Sequence, residues 1–168
     1  MWNYLEEYSP VSYGMMQNLK QRPSTFQLGA TRIKLPNETP PLSWVDNMTD
    51  EGIRQSLNTI VHETIHGYTS SMPYVILEQK DSVKYKIRDN YSAYFLSKDE
   101  IYLVKHTKVF SSFEIAKEIK KELQTFRYDP YIFPEDNELG SQVQGVYGLM
   151  DEWNAYYHGT RTSFELFD

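Results

Sequence analysis

The chain has 168 residues, enough for one domain with a core that needs no staples. A net charge of −6 and a pI near 5.2 argue against nucleic acid as a partner, since phosphate binding needs clustered Lys and Arg. There is no cysteine, which excludes disulfides and thiolate metal sites and leaves only His and carboxylate ligands for any metal.

Residues 1–48 carry five of the 8 prolines and read as an irregular N-terminal segment in which Phe26–Leu35 alone has strand character. The first seven residues lack the charged start and apolar core of a signal peptide. That fits a cytoplasmic chain or a mature one whose signal has been removed, and a secreted or cell-surface location is the expectation carried forward. Thr49, followed by Asp50 and Glu51, predicts a helix start with a capping hydroxyl and acids in the first turn. Ile53, Leu57, Ile60, Val61, Ile65 and Tyr68 then recur at helical spacing to about Ser70.

Tyr74–Glu78 and Val83–Arg88 are short aromatic and β-branched runs that predict strands. Ala93–Leu96 and Ile101–Lys105 flank Ser97-Lys98-Asp99-Glu100, which predicts a hairpin. Phe113–Phe126 has the pattern of an amphipathic helix whose Lys and Glu residues form a solvated face. Tyr128–Glu138, bracketed by Pro130 and Pro134, predicts a loop, and a last helix from about Ser141 to Tyr157 is expected to stop at Gly159. No apolar run approaches the roughly 20 residues of a membrane span. The order predicts a single α+β domain over residues 1–168.

The chemistry lies in His62-Glu63-Thr64-Ile65-His66, an HExxH motif inside a predicted helix. Residues four apart share a helix face, so both imidazoles can reach one zinc ion. Glu63 stands beside the metal rather than on it, where it can take a proton from the attacking water. A third ligand is needed. The metzincin extension would require Gly and His where this chain has Thr69 and Met72, and the aspzincin pattern is missing because Gly159-Thr160 continues as Arg161-Thr162-Ser163. In the last helix Gly145, Gly148, Glu152 and Ala155 fall on one stripe at spacings of three, four and three. Small residues allow close helix packing, and a carboxylate at such a contact needs a counter-charge, which makes Glu152 the candidate third ligand.

The motif and the downstream Asp151-Glu152-Trp153-Asn154-Ala155-Tyr156-Tyr157 helix resemble the gluzincin branch of the zincin metallopeptidases, which use two His and one Glu from a separate helix. The resemblance implies a zincin-like fold, with the active-site helix beside a mainly antiparallel sheet and helices at the C-terminus. It also implies a peptide or protein substrate laid along a sheet edge, for which Phe26–Leu35 and Tyr94–Lys105 are candidates. Thermolysin-like enzymes carry Asp four residues after the ligand Glu; this chain has Tyr156 there, which leaves Asp151 or Asn154 to orient a ligand. Tyr156, Tyr157 and His158 are candidate donors to the developing oxyanion, while His106 reads as structural or exposed. The function expected is zinc-dependent peptide hydrolysis; the alternative is a zincin-like binding or regulatory module that does no chemistry.

Overall fold

The computed structural model describes residues 1–28, 30–78 and 90–167, and among them the fold is α+β with two small antiparallel sheets. Two compact units make up the chain: Met1–Lys105 with Asn154–Asp168, and His106–Trp153.

The first unit opens with two helices, α1 (Trp2–Tyr8) and α2 (Pro10–Lys20), so the N-terminal segment is not irregular. Pro10 sits at the first position of α2, where its missing N–H has no helical partner to lose. Leu5, Met15, Met16 and Leu19 give these helices a buried face, which is what the proline count obscured. The strand character of Phe26–Leu35 resolves into a hairpin, β1 (Thr25–Leu28) and β2 (Thr31–Lys34), with Phe26 opposite Ile33. A short 3-10 turn, Pro41–Trp44, follows.

Thr49 caps α3 (Asp50–Gln55) as expected, its hydroxyl accepting from the Gly52 amide at 3.1 Å. Next, α4 (Leu57–Glu78) carries the motif and runs through Pro73, so Tyr74–Glu78 is helical and not a strand. An interior proline costs about 3 kcal/mol. Burial offsets it: Leu77 packs with Phe26 and Leu35, and Tyr74 stacks on Phe26 at 5.3 Å. Each large apolar side chain so buried contributes roughly 1.5–3 kcal/mol, enough to carry the helix past the proline. The expected strand Val83–Arg88 lies outside the described residues.

The predicted hairpin is present as β3 (Tyr91–Ser97) and β4 (Glu100–Lys105), with Ser97 paired to Glu100 around Lys98-Asp99. Ala93 and Phe95 of β3 are buried with Leu57, Ile60, Val61, Ile65 and Tyr68 of α4 in one core. That core also takes Ala155 and Leu166 from the last helix.

In the second unit, α5 covers only Ser112–Ala116, and a 3-10 turn at Lys121–Leu123 replaces the rest of the helix expected over Phe113–Phe126. A short amphipathic helix is held by what its apolar face buries. Here Leu123 is 66% and Phe126 84% exposed, so that face has nothing to pack on. Tyr128–Ile132 forms a π-helical turn in the expected loop. Ser112 holds that turn by donating to the Ile132 carbonyl at 2.9 Å, and the Gln142 side chain donates to Ser112 in turn.

The C-terminal helix comes in two pieces, α6 (Gly140–Val143) and α7 (Val146–Phe167). Gly145 breaks them: its φ is +56°, and a Cβ there would run into the Phe110 carbonyl. The stripe proposed from Gly145 therefore starts outside the helix. Gly159 does not end α7, because Ala155, His158, Thr162 and Leu166 continue a buried face to its last turn. No helix among the described residues is long and apolar enough to cross a membrane.

Candidate metal centre

Helical spacing on α4 turns the two motif histidines toward each other. Their Nε2 atoms stand 3.2 Å apart and the rings meet edge to face at 4.9 Å. Two nitrogens at about 2.05 Å from one tetrahedral zinc would be roughly 3.3 Å apart, so the pair is already spaced for a shared ion. Each imidazole offers one nitrogen inward.

The second element is α7. Gly159 brings it against α4: a Cβ at that position would lie 2.8 Å from the Asn58 carbonyl oxygen and 3.4 Å from the His62 Cβ. Nothing larger than hydrogen fits without moving the helix. One turn earlier the Tyr156 ring meets His62 edge-on at 4.5 Å. One further turn back on the same unbroken helix stands Glu152. His62, His66 and Glu152 are all half-buried. Two imidazoles and a carboxylate are a donor set suited to zinc.

Glu63 follows His62 on α4 and, with His66, lines a cleft of about 700 Å³ in the first unit. That cleft draws on α1, α2 and the segment around Pro40, positions far apart in sequence, so nothing in the motif announced it.

The other expected residues divide. Tyr157 is half-exposed and its ring packs on His158, while Arg161 one turn on pairs with Glu165 at 2.6 Å. His158 is wholly buried, with Nε2 2.8 Å from the Phe95 carbonyl. A carbonyl only accepts, so Nε2 carries the hydrogen and Nδ1 is a bare acceptor, buried without a partner. Burial lowers the His158 pKa and keeps the ring neutral, a pin between α7 and β3. Asn154 is buried too, about 160° around α7 from Glu152. His106, in the second unit, stacks on Tyr147 at 4.0 Å. Of the three candidate oxyanion donors, Tyr156 alone packs against a motif histidine.

No protein-family model matches this chain, and no curated protein or solved structure matches it.

Proposed function

We propose that the chain is a zinc-dependent metallopeptidase of gluzincin type, with a zincin-like fold, hydrolysing peptide bonds within a peptide or protein substrate. The observation that carries this reading is the pair of imidazole nitrogens of His62 and His66, 3.2 Å apart, with Glu63 beside them on a cleft, and Glu152 is the third ligand the reading requires. Zinc held by that trio would supply a Lewis acid, which acidifies water and polarises a carbonyl. Glu63 accepts the proton from the attacking water on its carboxylate and delivers it to the leaving amine. A ligand has no use for the residue after it, whereas a base must stand at that place, which favours hydrolysis over a metal that merely braces the fold. Tyr156, packed on His62, is the donor to the negative charge that develops on the carbonyl oxygen.

The test loads the purified chain with zinc and digests a peptide library, with cleavage read by mass spectrometry. Cleavage that is lost on chelation and restored by zinc is the expected result. A chain that binds one zinc yet leaves every peptide intact would instead support the non-catalytic binding module.

A further inference from the structure

The cleft beside Glu63 and His66 has a chemistry of its own. Its floor is Met16 and Leu19, both buried on α2. Its walls include Trp2 of α1 and the turn that bears Leu42 and Trp44. Leu42 is 42% and Trp44 38% exposed, so two large apolar side chains stand open to solvent beside the motif. At about 700 Å³ the cleft falls within the roughly 300–1,000 Å³ of sites that enclose small ligands.

The two basic side chains that line it, Arg22 and Lys20, are already engaged. Arg22, whose side chain is 6% exposed, pairs with Glu38 at 2.8 Å and donates to the Pro36 carbonyl at 2.9 Å. The same two contacts pin the proline-rich wall to the end of α2. Lys20 holds its ammonium over the Trp2 ring, 5.1 Å from the centroid. A charged group entering such a cleft would lose its water and meet mostly apolar surface, which is costly.

We propose that this cleft receives a large uncharged side chain of the peptide, aromatic before aliphatic, and that Trp44 sets the preference. This rests on the peptidase reading, because Glu63 and His66 line the same cleft and tie the occupant to the reacting bond. Trp44 has a flat apolar ring, lies outside the core, and faces the cleft from the wall that Arg22 holds. It is a specificity residue and takes no part in the proton transfers.

Binding is tested apart from chemistry, on Glu63→Gln protein without zinc. Acetylated peptide amides that differ only in one Phe, Leu, Ala, Glu or Lys are titrated and followed by intrinsic tryptophan fluorescence and by calorimetry. The Phe peptide is expected to bind at least roughly tenfold tighter than the Ala peptide, with Glu and Lys weakest. Trp44→Ala should erase most of that ratio, Leu42→Ala part of it, and Leu123→Ala none. Equal affinities across the series, or a Phe preference that survives both Trp44→Ala and Leu42→Ala, overturns the proposal. The two readings fail separately. Selective binding without cleavage by the zinc-loaded chain removes the peptidase and leaves the cleft, whereas cleavage indifferent to side-chain size does the reverse.

Discussion

Glu63 differs from its neighbours in losing nothing structural when its charge is removed, because it belongs to neither the trio nor the buried core. Glu63→Gln should therefore keep stoichiometric zinc and lower peptide hydrolysis by at least about a hundredfold, the range for a positioned base; full activity in the variant would remove its role. His62→Ala and His66→Ala should do the opposite and lose the zinc itself, read by elemental analysis after dialysis. His158 makes a third, independent case. Burial lowers its folded pKa, the nearby Arg161 lowers it further, and the Phe95 carbonyl and Glu165 oppose the shift. An unfolded histidine, near 6.5, binds protons more readily, so stability is whole above that pH and falls as pH drops through it toward the folded value. Melting temperatures from pH 7.5 to 5 should fall more steeply in the wild type than in His158→Gln, the other histidines being common to both. Parallel curves would show that His158 does not titrate on unfolding.

At the scale of elements, what was legible in the sequence was what depends on near neighbours. A cap at Thr49, a pair of imidazoles four residues apart and a hairpin around Lys98-Asp99 each need only a few adjacent residues. Tyr74–Glu78 reads as a strand by composition, yet a hairpin 40 and more residues earlier decides that it is helix. Phe113–Phe126 has the periodicity of a helix, but no surface receives its second half. Gly159 has the composition of a stop and the job of a spacer, and only the nearness of Asn58 on α4 reveals it. Gly159→Ala should therefore destabilise by about 1–3 kcal/mol, since the added methyl meets backbone that does not give way, and zinc affinity should fall with it because His62 lies on the same contact. A variant with unchanged melting temperature would show that the helices part at no cost. On α7 itself, Glu152→Ala should weaken zinc binding severely, while Asp151→Asn, about 100° around the helix, should cost about 10–100-fold at most. The reverse order would move the ligand to Asp151.

For the whole molecule the ion would be a folding ligand as well as a reagent. His62 and His66 come from α4 and Glu152 from α7, which lie about 90 residues apart in sequence, and an unfolded chain has no reason to bring the three to one ion. Zinc that binds only the folded form stabilises it by about 2.7 kcal/mol at a hundred times its dissociation constant. For a chain of this size each kcal/mol moves the melting temperature by roughly 2–4 °C, so a rise of about 5–10 °C is expected on adding zinc and its loss on chelation. Because the chain forms two compact units, the rise belongs to whichever transition melts α4, and hydrogen exchange of the α4 amides with and without zinc identifies it. Glu152→Ala should shrink the rise, since two imidazoles alone hold zinc weakly, and His62→Ala should abolish it. A zinc-induced rise that is undiminished in His62→Ala would mean that the ion stabilises the fold from some other place, and the trio would lose its claim to the metal.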